Sequence, residues 1–254
     1  VPTLDNHQSS DYTKLIYIGD SGTGKTGSLA SLVAAGYKLK VLDMDNGLDA
    51  LVHYARALDA DLSLVEFETI RDAYRASKAG PVIKGSPQAY TKSLDILTQW
   101  AEIEDPQTIF VLDSLTHFGK AAFEWAKGMN PTAKDPRQWY FTAQQGVEKV
   151  LSLLTSDDFK MNVIIISHVN YKEISEGVHK GHPNAVGSAL GPTISSYFNT
   201  LILAESSGAG TNTRRKIKTL PTGVIDLKTP NPKVDKELPL ETGLATIFAQ
   251  LKGA

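Results

Sequence analysis

Cysteine is absent from the 254 residues, so no disulfide framework holds this chain and nothing points to an oxidising compartment. No apolar run approaches the roughly 20 residues that a helix needs to cross a bilayer, so no membrane partner is expected. No charged leader with an apolar stretch behind it opens the sequence, and the expected location is cytoplasmic. Charge of one sign is also scarce. A net charge of −2 argues against wholesale coating of nucleic acid and leaves room only for a regional basic path. No internal repeat is visible. The remaining balance, 41% apolar and 21% charged residues, is that of a globular chain. Its length and its alternation of strand and helix patterns predict one α/β domain with a single large sheet over 13–254. Residues 1–12 are polar and are expected to form a flexible arm.

A short apolar run, Ile16-Tyr17-Ile18, leads into Gly19-Asp20-Ser21-Gly22-Thr23-Gly24-Lys25-Thr26. This is a Walker A phosphate loop, G-x-x-x-x-G-K-T, between a strand and a helix. Glycines allow the backbone to turn its N–H groups inward, and the following helix N-terminus adds partial positive charge. Lys25 is expected to reach the β- and γ-phosphates of ATP, and the Thr26 hydroxyl to hold one Mg²⁺ position. Leu39 to Asp45 reads as a second strand, with Asp43 and Asp45 two residues apart on one side of its C-terminal end. Either Asp45 or Asn46 could instead cap the helix expected at 48–58. The run Thr108-Ile109-Phe110-Val111-Leu112-Asp113-Ser114 has the Walker B form, a buried strand that leaves Asp113 beside the phosphates to hold Mg²⁺ through water.

Helical patterns are expected at 26–35, 88–103, 118–125, 138–154 and 243–252, and a further strand at 161–168 ends in Ser167 and His168. Two long polar loops are expected at 126–138 and 170–188, with a surface loop at 77–87. Strands at 198–204, 214–220 and 224–228 are expected to close the sheet with an antiparallel edge.

This order of motifs resembles the RecA-type ATPase core. More narrowly, it resembles the core-only RecA-like nucleotide-binding proteins of bacteriophages linked to single-strand annealing. The likeness covers about 12–230 and is carried by the Walker A loop, by Val41-Leu42-Asp43-Met44-Asp45-Asn46-Gly47-Leu48-Asp49, by Phe110-Val111-Leu112-Asp113-Ser114, by Ile165-Ile166-Ser167-His168 and by Gly187-Ser188-Ala189-Leu190. It implies a RecA-like P-loop fold and an ATPase that uses Mg²⁺. Asp45 would activate the attacking water where the family usually has Glu. Aspartate is one methylene shorter, and a displacement of about 1 Å can cost on the order of 100-fold in rate, so slow hydrolysis is expected. His168 would sense the γ-phosphate where recombinases commonly carry Gln.

The resemblance further implies a homo-oligomer, ring or filament, whose two polar loops line a path for single-stranded DNA. Lys127, Lys134, Arg137, Lys172 and Lys180 would meet phosphates there, with Trp125, Trp139 and Tyr171 nearby for base stacking. Arg215, Lys216 and Lys218 would be offered to a neighbour's nucleotide. The role implied is DNA-stimulated ATP hydrolysis that assists phage recombination, in the cytoplasm of an infected host, alongside a single-strand-binding or annealing protein. Two other readings of the residues stand beside it: a P-loop phosphotransferase acting on small molecules, and a nucleotide-gated binding module with little hydrolysis.

Overall fold

Successive side chains of a strand point to opposite faces, and in the central strands of this chain both sets are apolar. Such strands need cover on both sides. The computed structural model describes residues 12–253, so the arm expected at 1–12 lies outside the described residues apart from Tyr12. The elements are β1 (Lys14–Ile18), α1 (Lys25–Ser28), α2 (Ala30–Ala34), β2 (Lys38–Asp43), α3 (Leu48–Ala57), β3 (Val65–Thr69), β4 (Tyr74–Arg75), β5 (Val82–Ile83), α4 (Ala89–Trp100), β6 (Thr108–Asp113), α5 (Leu115–Met129), α6 (Arg137–Thr155), β7 (Asn162–Ser167), β8 (Val169–Ser175), β9 (Val178–Pro183), α7 (Leu190–Ile194), β10 (Thr200–Ser207), β11 (Arg214–Lys218), β12 (Glu237–Pro239) and α8 (Leu240–Leu251).

The main sheet runs β12-β11-β10-β1-β7-β6-β2-β3. From β10 to β3 all pairings are parallel, while β11 and β12 add antiparallel strands at one edge. The fold class is thus the one expected: a mainly parallel α/β P-loop sheet, flanked by helices, with an antiparallel edge. One face of the sheet, including Ile16, Leu42, Phe110, Leu112 and Ile165, packs against Leu97 and Trp100 of α4, Phe118 of α5 and Leu151 of α6. The opposite face, including Leu15, Tyr17, Val41, Val111 and Ile164, packs against Leu32 and Val33 of α2, Leu51 of α3 and Phe248 of α8. Among the described residues no helix is long and apolar enough to cross a membrane.

Parallel pairing brings the C-terminal ends of β1, β2, β6 and β7 to one edge of the sheet, where α/β proteins bind ligands. The register sets Asp43 directly opposite Asp113, and Ile18 opposite Ser167. At the other edge, Asn162 fixes the same strands. Its Oδ1 accepts from the Thr13 N–H at 2.8 Å, and its Nδ2 donates to Pro106 O at 2.7 Å and Thr108 O at 3.3 Å.

Several expectations are corrected. The segment 170–188 is no loop along most of its length: β8 and β9 form an antiparallel hairpin that turns at Gly177, where φ is 73°. It stands outside the main sheet, and apart from Gly181 and Pro183 its residues are half-buried or exposed, so no sustained apolar alternation announces it. The loop expected at 126–138 shrinks to 130–136, because α5 and α6 extend into it. Residues 77–87 are the exposed loop expected, except that Val82–Ile83 (β5) within it pairs back with β4 just before it. The third edge strand is β12 rather than 224–228; that segment makes a single bridge, Leu201 to Lys228, and buries Ile225 and Leu227 instead.

Asn162→Ala leaves the buried Thr13 N–H without its partner and removes the bonds to Pro106 O and the buried Thr108 O. A loss of about 2–3 kcal/mol in unfolding free energy is expected, read from the shift of a chemical denaturation midpoint.

Candidate functional site

The phosphate loop leaves β1 and passes close under β10. A Cβ on Gly19 would lie 2.6 Å from Ala204 O, so only glycine fits at that crossing. Gly24 precedes α1 with φ at 90°, a left-handed conformation that glycine takes without steric cost. Within the loop Lys25 is buried, and its ammonium donates to Gly19 O and Asp20 O, both at 2.8 Å. The lysine thus sits folded into its own cradle. Burial lowers its pKa, opposed by the nearby Asp113, Asp45 and Asp20 carboxylates.

Thr26 and Asp113 are 87 residues apart in sequence, and the Thr26 hydroxyl donates to Asp113 Oδ2 at 2.6 Å. Asp113 is buried, and loss of solvent pushes its carboxyl up to about 7; Asp45 and Asp43 add to the rise, while Thr26 and Lys25 oppose it. The two aspartates after β2 part company here. Asp43 is fully engaged: Oδ1 accepts from the N–H groups of Asp45 at 3.2 Å and Asn46 at 2.7 Å, and Oδ2 from the Thr69 hydroxyl at 3.0 Å. It builds the turn that carries Asp45. The capping role considered for Asp45 and Asn46 is not found, since α3 begins after Gly47 with no side-chain cap. Asp45 is half-buried at the nucleotide edge, with Oδ2 3.5 Å from Ser114 Oγ and 3.7 Å from His117 Nδ1.

His168 is half-buried at the end of β7 and tied through its backbone. Its N–H donates to Thr116 Oγ1 at 3.2 Å and its carbonyl accepts from the Asn184 N–H at 2.8 Å. Its ring stands 6.2 Å from that of His117, centroid to centroid. Both imidazoles are held below their ordinary pKa chiefly by burial. His117 and Ser114 received no role from the sequence. The available signal was positional: a helix that starts directly after a strand returns its first turn to the strand end, which brings residues 114 and 117 back beside Asp113.

The cations named for DNA do not form one cluster. Lys172 and Lys180 face each other across the β8–β9 hairpin; the first bonds the Ser188 carbonyl and the second pairs with Asp226 at 2.7 Å. Lys127 lies on α5, with its ammonium 6.0 Å from the centre of the Trp139 ring. Arg137 begins α6 and pairs with Asp135 at 2.7 Å. Lys134 alone of the five lies in the connecting loop, and it is exposed. The hairpin touches the phosphate loop, where the Tyr171 hydroxyl lies 3.4 Å from Asp20 Oδ2.

The cations named for a neighbour's nucleotide are engaged within their own chain. Lys216 bonds Glu237 at 2.9 Å, and Lys218 bonds Glu205 at 3.0 Å. Arg215 Nε donates to Gly22 O at 3.2 Å, which puts this guanidinium at the rim of its own phosphate loop. Contact with a neighbour would require these bonds to break.

A glycine-lined cradle with a lysine in it, a hydroxyl meeting a strand-end carboxylate, and a sheet that gathers them at one edge define a P-loop nucleotide-binding domain of the ATPase type. The chain belongs to the AAA domain family, which it matches over residues 11–230. Comparison with curated protein sequences gave no match. Among solved structures, a KaiC-like protein from the hyperthermophilic archaeon Pyrococcus horikoshii OT3 is similar at 10% identity, covering 81% of this chain and 77% of that one, with a TM-score of 0.42.

The raised Asp113 pKa fixes a sign for stability. Unfolded, the carboxyl ionises near 3.8; folded, it does so at about 7. Its contribution is therefore complete below 3.8 and is lost as pH rises through 7. In thermal melts of the ligand-free protein, Asp113→Asn is expected to be increasingly more stable than the parent as pH climbs between those two values. It should also lose most Mg²⁺-dependent tightening of nucleotide binding.

Proposed function

We propose that this chain is a slow, Mg²⁺-dependent ATPase of RecA-like type that binds single-stranded DNA as a homo-oligomer. The observation that carries the ATPase reading is the 2.6 Å bond between Thr26 and Asp113, with Asp45 across the same edge. The donor set fits a magnesium ion: a hydroxyl and a carboxylate already in contact, both oxygens, with the carboxylate's charge suppressed by burial first and by the acids around it second. Mg²⁺ typically takes one or two protein carboxylates and fills its other positions with water and phosphate oxygens. Thr26 and Asp113 would hold it, and when bound it neutralises charge on the β- and γ-phosphates.

The protein groups have separate tasks. Lys25 leaves Gly19 O and Asp20 O for phosphate oxygens, exchanging two carbonyl contacts for charge-assisted ones. The loop N–H groups bind the remaining phosphate oxygens. Asp45 orients the attacking water and takes its proton. His168, anchored by its backbone, meets the γ-phosphate from the far side. Arg215 stands at the rim of its own loop, close enough to serve the same nucleotide, and a trans role for it or for Lys216 and Lys218 follows only on assembly.

For DNA, the support lies in the hairpin. Tyr171, Ile174 and Val178 are exposed on it, Lys172 and Lys180 sit across from each other, and Tyr171 reaches Asp20 in the phosphate loop. Stacking and phosphate contact are what single strands ask of a protein. Loss or gain of a γ-phosphate at the loop is thereby coupled to the hairpin, provided ATP binds the DNA-competent arrangement more tightly than the other. Lys127, Lys134 and Arg137 would extend the path. The role in phage recombination, the partnership with a single-strand-binding or annealing protein, and the host cytoplasm as location rest on the resemblance set out above.

Lys25→Ala is expected to abolish most of the thermal stabilisation by ATP, which for the parent at about 100 times Kd amounts to roughly 2.7 kcal/mol. Asp45→Asn is expected to cut turnover far more than ATP affinity; if Asp43→Asn gives that split instead, the roles of the two carboxylates are reversed. On a labelled oligonucleotide, fluorescence anisotropy is expected to show affinity that rises with ATP but not ADP and falls with salt by a log–log slope of about −0.7 per phosphate contacted. It should drop when Lys172 and Lys180 are both changed to Ala. Binding indifferent to nucleotide would remove the DNA reading, and phosphoryl transfer to a nucleoside would replace it with the small-molecule one.

A further inference from the structure

Asp45 faces two ways. One side looks to the phosphate loop; on the other, Ser114 Oγ lies 3.5 Å from Asp45 Oδ2 and 3.1 Å from His117 Nδ1. Asp45 and the His117 imidazole both border a cavity of about 320 Å³, which Met44, Arg71, Lys120 and Glu124 also line. A carboxylate that accepts a proton beside buried Asp43 and Asp113 has to release it before the next turnover, and the only hydroxyl–imidazole pair in contact with it among the described residues leads away from the nucleotide. From this geometry we propose that Asp45, Ser114 and His117 form a proton relay, which carries the proton of the attacking water out of the hydrolysis site into the cavity. The proposal rests on the reading of Asp45 as the water-activating carboxylate.

The step balances without a further reactant. The water oxygen bonds to the γ-phosphorus as the bond from that phosphorus to the bridging oxygen breaks, and the bridging oxygen keeps the electron pair on ADP. The water's proton passes to Asp45. Asp45 then gives a proton to Ser114 Oγ while the serine gives its own to His117 Nδ1, and the imidazolium releases its Nε2 proton to water in the cavity. Exchange with the same water returns the ring to its starting tautomer.

The charges around His117 suit an acceptor. Asp43 and Asp45 face it from the turn after β2, Arg71 from the segment after β3, Lys120 from its own helix and the His168 ring from the end of β7. Burial and Lys120 lower its pKa against the pull of Asp45, so the ring is neutral at pH 7 and free to take a proton. The relay also bears on the short carboxylate. An aspartate held back from the phosphate is nearer to Ser114, so the residue that weakens water activation shortens the path for the proton.

The test is single-turnover ATP hydrolysis by the full chain across pH, with ATP affinity and melting temperature measured in parallel. His117→Ala is expected to slow hydrolysis by roughly 10- to 100-fold, toward the lower end of what general acid–base groups contribute, with ATP affinity unchanged. Imidazole added to the buffer should restore it, because the cavity opens onto the vacated position. His117→Gln fills that position and hydrogen-bonds but takes no proton, so it should be slow and unresponsive to imidazole, and Ser114→Ala should be slow as well. In the parent, the rate should fall as pH drops through the imidazole range, and this fall should vanish in His117→Gln. A parent-like rate in His117→Gln, or no response of a well-folded His117→Ala to imidazole, overturns the relay. If Asp45→Asn retains full turnover, the reading of Asp45 itself fails. If Asp45→Asn is inactive and His117→Ala ignores imidazole, the relay alone fails.

Discussion

Carboxylate crowding at one edge of the sheet is the constraint on which this site depends. Asp43 and Asp113 are directly paired across β2 and β6, Asp45 stands two residues on, and the buried ammonium of Lys25 is the cation close to them. Like charges this near each other cannot all ionise freely in a low-dielectric setting. The structure answers with three different partners. Asp43 is held by two backbone N–H groups and a threonine hydroxyl, which makes it part of the turn. Asp113 is held by Thr26, and loss of solvent pushes its carboxyl up to about 7. Asp45 keeps a looser contact with Ser114 and His117.

The same edge gathers elements from far along the chain. Tyr171 of the β8–β9 hairpin reaches Asp20, and Arg215 of β11 reaches Gly22, so both flanks of the phosphate loop are touched by segments that also face outward. Lys25 bonds Gly19 O and Asp20 O, and the Asp20 side chain is the one that meets Tyr171, so under the proposed function a phosphate entering the loop would act on the residue the hairpin touches. Coupling of this kind needs no long pathway. It needs only that the loop have two arrangements and that the outer elements favour one of them.

The phosphate loop, the strand-end acids and the strand preceding His168 were legible because each is a short string whose chemistry and secondary structure are fixed locally. Glycine at 24 is demanded by a left-handed turn, and the apolar runs ending in Asp113 and Ser167 can only be buried strands. Sequence alone does not separate Asp43 from Asp45 except by resemblance; the structure shows that they differ in setting, three hydrogen bonds tying Asp43 into the turn while Asp45 stays in loose contact with Ser114 and His117. The hairpin escaped because a two-stranded ribbon outside the main sheet buries little, here a glycine and a proline at the base of β9, and so leaves no period in its apolar residues. The edge strand at 237–239 escaped because three residues, one of them proline, carry almost no strand signal.

By itself, then, the sequence determined a parallel sheet with a nucleotide loop and two carboxylate-bearing strands at one edge, since local geometry and burial suffice to specify them. Only tertiary structure decided which cations stand free and which are spent on acids of the same chain, that Arg215 lies over its own loop, and that His117 backs Asp45. Those facts depend on the order of strands in the sheet and on α5 beginning directly after β6 at the same edge. The strand order is not written in any one segment, because it follows from how the two faces of the sheet are covered at once.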